Sequence, residues 1–163
     1  MSVDLALAKQ HLRVTHDFED TVITQYLNAA VAWVENYTGK LLTRREVTQE
    51  ETEFGSYLTL FYGPSPASLT IDYTDSEGAA TTIADGLVVK GRVYPADSWP
   101  TFADNTPVTL TYTAGYDNVP ADLDSAVLVH VRAQYDEWRS GQKDEVAIVA
   151  IEALCRPYRD LRV

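Results

Sequence analysis

A strand is followed by a helix in the stretch Tyr112-Thr-Ala-Gly-Tyr-Asp-Asn-Val-Pro-Ala-Asp-Leu-Asp-Ser-Ala-Val-Leu128. β-Branched and aromatic residues lead up to Gly115, which indicates a strand that ends in a turn. Pro120 suits the first turn of a helix, and Asp122 and Asp124 put negative charge where the helix dipole favours it. The chain therefore changes here from a β region to a C-terminal helical region.

Helical spacing continues after this transition as far as Arg139-Ser-Gly141. Asp144 and Glu145 then begin a last helix that ends before Pro157. Residues 146–151 are apolar on every side, so this helix must be buried all round, by its own domain or by another subunit.

The N-terminal part is also helical. Residues from Asp4 to about Leu12 form a short helix, and Thr15 or Asp17 is the expected cap of a longer one. Apolar residues then recur at helical spacing up to Gly39, whose tolerance of a left-handed backbone predicts the end of that helix.

Between these regions the period changes to that of strands. Segments such as Leu69-Thr-Ile-Asp-Tyr73 are rich in β-branched and aromatic residues, and Asp75-Ser-Glu-Gly78 is a hairpin turn signal. We expect an α+β fold with helices at both ends and a small, mostly antiparallel β insertion of about four to six strands. The predicted organisation is one domain over residues 1–163, with N-terminal helices in 1–44, the β insertion in 45–116 and C-terminal helices and tail in 117–163.

Negative charge is concentrated in the middle of the chain. The net charge is −11, and residues 46–124 hold thirteen acidic residues against only Lys90 and Arg92. Electrostatic binding of nucleic acid requires clustered Lys and Arg, so this distribution argues against it. A solvated acidic surface is the simplest alternative. The single Cys155 excludes an intrachain disulfide, and no apolar run is long enough to predict a membrane span.

Residue patterns that carry chemistry are absent from the sequence. His11, His16 and His130 are far apart, and one cysteine makes a zinc site improbable. Gly39-Lys40-Leu41 lacks the first glycine and the hydroxyl residue of a phosphate loop. We therefore predict no catalytic residues, no cofactor and no metal ion.

Several segments, taken in order, resemble one family. These are Leu12-Arg13-Val14, Asp17-Phe-Glu-Asp20, Asn28 to Leu41, Ala114 to Val127 and Pro157-Tyr158-Arg159. Because of the order and spacing of these segments, the chain resembles the small head–tail connector (adaptor, head-completion) proteins of tailed bacteriophages nearly from end to end. Lys40 departs from the arginine that is common there, and residues 46–107 match the family only in rhythm.

The resemblance implies a structural virion protein rather than an enzyme. Its copies would form a ring, dodecameric like the portal, beneath the portal protein, joining head to tail and extending the DNA channel. The implied partners are the portal, further copies of the chain and a downstream neck or tail protein, while DNA passes without specific binding and no membrane is involved. The implied location is the head–tail interface of the virion, assembled in the cytoplasm of the bacterial host.

Two sets of residues are the candidates for contacts in such a ring. The apolar last helix and the arginines after it could contact the portal or a neighbouring subunit; the residues are Ile148, Ile151, Leu154, Arg156, Tyr158, Arg159 and Arg162. An acidic channel wall would repel DNA and let it slide; the candidates are Glu50, Glu51, Glu53 and Asp72.

Other functions stay open from the sequence alone. A different neck or tail-completion protein of this size would bind a tail tube rather than a portal. An acidic DNA-mimic inhibitor would share the net charge but would need no ring. An enzyme has no motif in its favour.

Overall fold

The computed structural model describes residues 3–84 and 86–159. The chain forms two compact units, of which one is Arg44–Tyr116 and the other combines the chain on both sides of it. The predicted β insertion therefore corresponds to a separate β unit, and the two helical regions come together in a helical unit. That the whole chain acts as one connector domain stays a prediction.

The helical unit contains four α-helices and one short 3₁₀ turn among the described residues. They are α1 (Leu5–Leu12), α2 (Asp20–Thr38), α3 (Ala121–Ser140), α4 (Glu145–Cys155) and the 3₁₀ turn Arg156–Tyr158. Buried residues recur at three- and four-residue spacing along the facing sides of α2 and α3. They include Ile23, Leu27, Ala30, Val34, Leu123, Val127 and Val131.

Most helix ends lie where local side chains favour them. Asp4 Oδ1 accepts a hydrogen bond of 2.8 Å from the Leu7 N–H at the start of α1. Gly39 ends α2 and Gly141 ends α3 in the left-handed region, with φ of 68° and 73°. These predicted ends are confirmed.

The predicted cap of α2 is wrong. Glu19 occupies the cap position and makes no capping bond through its side chain. Asp17 instead pairs with Lys9, whose Nζ lies 2.6 Å from Asp17 Oδ1 and 2.6 Å from Asp20 Oδ1. The lysine therefore draws these carboxylates toward α1, a tertiary contact that outweighs the local capping preference.

The β unit contains two antiparallel sheets, and the predicted α+β class is confirmed. The larger sheet has the order β1-β7-β3-β4, and the smaller one has the order β2-β6-β5. The strands are β1 (Arg45–Glu51), β2 (Leu58–Thr59), β3 (Ala67–Thr74), β4 (Ala80–Ile83), β5 (Leu87–Val89), β6 (Arg92–Tyr94) and β7 (Val108–Ala114). The described residues thus form seven strands, more than the predicted four to six, because β2, β5 and β6 have only two or three residues each.

A buried polar network organises the core of the β unit. The Tyr112 hydroxyl donates a bond of 2.9 Å to Gln49 Oε1 and accepts one of 3.0 Å from the Tyr62 N–H. Gln49 Oε1 also accepts from the Phe61 N–H, and Gln49 Nε2 donates to the Thr59 carbonyl. Because its amide is fully used, Gln49 can be buried at little cost.

Candidate interface surfaces

Several apolar side chains of α4 face solvent. Val146, Ile148 and Val149 keep 78%, 47% and 67% of their surface exposed, whereas Ala147 and Cys155 are buried. The helix's own unit therefore buries it on one side only, and burial of the exposed residues by another subunit stays a prediction. We call Val146, Ile148 and Val149 the helix patch; an exposed apolar patch of this kind is typical of a surface that binds a partner.

The predicted interface residues of α4 differ in their surroundings. Ile148 belongs to the helix patch, Leu154 is half-buried and Ile151 is only 2% exposed. Ile151 therefore holds α4 against its own unit, while Ile148 is accessible to a partner.

The described end of the chain packs against the helical unit. The Tyr158 hydroxyl donates a bond of 3.2 Å to Asp122 Oδ2, and the Arg159 guanidinium lies 5.3 Å from the centre of the Tyr37 ring. Arg156 is exposed. The predicted contact residue Arg162 lies outside the described residues. Arginine side chains are thus present on the surface directly after α4.

Strand register separates the predicted acidic residues. Glu50 pairs with Thr109, Thr109 pairs with Asp72, and Asp72 pairs with Thr82, so these four residues form one row across the large sheet. Directly paired residues project from the same face. Glu50 and Asp72 therefore share the exposed face, and Asp72 Oδ1 accepts a bond of 2.5 Å from the Thr82 hydroxyl.

The other two predicted acids are not on this row. Glu51 pairs with the buried Val108, and side chains alternate between faces along a strand, so it projects from the opposite face to Glu50. Glu53 is exposed beyond the end of β1. The exposed face is otherwise rich in threonine, with Thr48, Thr70, Thr109, Thr111 and Thr113 in addition to Thr82.

Sequence reasoning missed a second apolar surface, on the small sheet. Leu87 pairs with Tyr94, and Val89 pairs with Arg92, so all four project from one face. Arg92 also lies over the Tyr57 ring, 4.4 Å from its centre. Leu87 is 63% exposed and Val89 43%. We call Tyr57, Leu87, Val89 and Tyr94 the sheet patch; the apolar run Leu87-Val-Val89 was the available signal, but it is too short to be distinctive.

Two further aromatic side chains are exposed on the helical unit. Phe18, in the turn between α1 and α2, is 95% exposed, and Trp138 near the end of α3 is 54% exposed. Trp138 lies beside Tyr135, with 6.0 Å between ring centres. Sequence reasoning did not single out Phe18, because one phenylalanine in a turn has no periodic pattern.

Burial shifts the pKa values of two titratable side chains in the helical unit, His130 and Cys155. His130 lies edge-on to Trp33, 5.4 Å between ring centres, and burial lowers the pKa of this histidine. Burial raises the pKa of the Cys155 thiol to about 11.

Within residues 3–84 and 86–159, no group of three or more His, Cys, Asp or Glu side chains is arranged to hold a metal ion. No helix in this part of the chain is long and apolar enough to cross a membrane.

Comparison with known proteins supports the resemblance that the residue patterns indicated. Residues 2–63 match the family model described as phage gp6-like head-tail connector protein. The neck of an empty gene transfer agent particle, computed with C6 symmetry, contains a chain with 27% identity and a TM-score of 0.83. That match covers 99% of this chain and 91% of the other. The resemblance to head–tail connector proteins is confirmed.

Two more solved structures contain chains similar to this protein. The virion of a native gene transfer agent particle gives 26% identity and a TM-score of 0.79, covering 99% of this chain and 91% of the other. The neck of a native particle, computed with C12 symmetry, gives 28% identity and a TM-score of 0.74, covering 100% and 94%. No curated protein matches the chain. The similarity therefore extends over both units of the chain and beyond the segment that the family model matches.

Proposed function

We propose that this protein is a structural neck protein that joins head to tail. Its copies form a ring beneath the portal, continue the DNA channel and bind the next neck or tail component. The observation that carries this proposal is the similarity over the full chain to neck chains of particles computed with C6 and C12 symmetry.

A dodecameric ring fits this proposal. A ring with cyclic symmetry needs heterologous contacts, in which one surface of a subunit meets a different surface of the next. The chain offers more than one exposed apolar surface, including the helix patch and the sheet patch. The protein would be assembled into the virion in the bacterial cytoplasm, and it would have no catalytic role.

The row of Glu50 and Asp72 is the best candidate for a surface that faces DNA. Both carboxylates project from the exposed, threonine-rich face of the large sheet. A duplex carries about one negative charge per 1.7 Å of its axis, so an acidic wall repels it and does not hold it in place. Glu51 and Glu53 are weaker candidates because they lie off this row.

The arginines after α4 are candidates for the contact with the portal. Arg156 is exposed, and the 3₁₀ turn that carries it is fixed to the helical unit by the bond from Tyr158 to Asp122. Arginine forms forked hydrogen bonds with carboxylates, so an acidic surface on the portal is the complementary partner.

Removal of the gene tests this function. Without the protein, DNA-filled heads and free tails should accumulate separately in electron micrographs, and supplying the gene in trans should restore joined particles. Joined particles that form at the normal level without the protein would contradict the proposed function.

A further inference from the structure

We propose that the helix patch of one copy packs on the sheet patch of the next copy, and that this contact closes the ring. This contact rests on the proposed ring and specifies which two surfaces meet in it. Each patch binds a second copy of this chain.

The helix patch has an acidic border. Helical geometry puts Glu145 and Glu152 on the same side of α4 as Val149, because they lie four residues before it and three after it. Asp144 caps the helix at its start. The two carboxylates lie between Val149 and Ile148 around the helix, and the chain has no basic residue between Lys143 and Arg156, so a negative strip borders Val149 on one side.

The sheet patch has the opposite charge. Lys90 and Arg92 are the only basic residues between positions 46 and 124, and both are exposed at this patch. Arg92 projects from the same face as Val89, and Lys90 lies in the turn that joins β5 to β6. Apart from Arg44 and Arg45 at its start, the β unit therefore has its basic residues at its exposed apolar face.

Apolar contact surrounded by complementary charge is the usual composition of a specific interface. Pairing each patch with itself is disfavoured. Two helix patches would bring Glu145 and Glu152 against their own copies, and two sheet patches would do the same with Lys90 and Arg92. Pairing of unlike patches removes both repulsions and is heterologous, as a closed ring requires.

Crosslinking through introduced cysteines tests the contact. In a Cys155→Ala background, one chain carries Val149→Cys and another carries Leu87→Cys, and a short bismaleimide is added. We expect a covalent dimer only when the two chains are mixed, and a ladder of multimers from a chain with both cysteines. A chain with Val149→Cys mixed with one carrying Glu77→Cys, in the exposed β3–β4 turn, should give none. A dimer from Val149→Cys alone, or no product from the mixture, overturns the proposal.

Charge reversal provides a second test that leaves Cys155 in place. A chain with Glu145→Lys and Glu152→Lys, or one with Lys90→Glu and Arg92→Glu, should associate more weakly than the wild type in sedimentation velocity. A chain with all four changes should recover association, and equal weakening in that chain overturns the proposal. If electron microscopy shows rings but the crosslink is absent, this contact is wrong while the proposed function stands. If gene removal leaves joined particles, the function itself is wrong.

Discussion

The Tyr135 hydroxyl donates a hydrogen bond of 2.6 Å to Glu19 Oε2, which joins the end of α3 to the start of α2. Arg139 Nη1 donates a bond of 3.1 Å to the same hydroxyl oxygen. Burial and the bond to Glu19 raise the pKa of Tyr135. This contact between residues 116 positions apart fixes the turn that presents Phe18.

Replacement of Tyr135 by Phe should destabilise the helical unit. A hydrogen bond to a charged group contributes about 1.5–3 kcal/mol, and the ring itself is retained. Urea unfolding measures the change in free energy. Tyr26→Phe, at a half-buried site on α2, is the matched control and should change stability by less than about 0.5 kcal/mol. Equal effects of the two changes would show that the bond to Glu19 contributes nothing.

Stability should fall at alkaline pH through Cys155. Burial raises the pKa of this thiol from 9.0 to about 11, so the folded protein keeps a proton that the unfolded chain releases. The contribution is complete below pH 9.0 and is lost as the pH rises toward about 11. Comparing the wild type with Cys155→Ala by denaturant titration across this range isolates the effect. Parallel pH profiles for the two proteins would contradict it.

A charge in the helix patch should prevent assembly without unfolding the chain. Ile148 is 47% exposed, so Ile148→Asp should leave the thermal midpoint nearly unchanged while abolishing rings in electron micrographs. Thr24→Asp, at an exposed site on α2, should assemble normally. Ile151→Ala should instead lower stability by about 2–5 kcal/mol, because that side chain is buried. Normal rings from folded Ile148→Asp would remove the patch from any interface.

Reversing charge on the large sheet should make DNA adhere to the ring. A chain with Glu50→Lys and Asp72→Lys should gain DNA binding that weakens as salt increases, and particles built from it should eject DNA more slowly. Glu77→Lys with Asp97→Lys makes the same charge change at exposed sites off this row. If both double variants bind DNA equally at each salt concentration, the row does not line the channel.

A charge reversal after α4 should weaken portal binding. Arg156 is exposed, so Arg156→Glu should leave the fold intact while reducing binding to the portal ring by tenfold or more, about 1.4 kcal/mol or greater. Binding is measured by co-sedimentation. Arg13→Glu is the control, since Arg13 is exposed at the end of α1. Unchanged binding by Arg156→Glu would place the portal contact elsewhere.

Local signals explain what the sequence predicted correctly. Gly39, Gly141 and Asp144 act within one turn of their own positions, so the ends of α2 and α3 and the start of α4 could be predicted. The connector resemblance likewise depended on short segments in order. It did not require any knowledge of strand pairing.

Contacts between distant residues explain what the sequence did not predict. Gln49 lies in a stretch rich in charged residues, and its burial depends on bonds with Thr59, Phe61 and the distant Tyr112. The row of Glu50 and Asp72 depends on both strands pairing with β7, which composition does not reveal. For α4 the sequence left two alternatives open, its own domain or another subunit, because an apolar sequence does not distinguish a core from an interface.

Electron microscopy of the protein mixed with the portal ring from the same genome tests the central claim most directly. The account predicts a symmetric extra tier beneath the portal, with the same rotational symmetry as the portal. Portal rings without an added tier, together with unbound protein at saturating concentration, would contradict it.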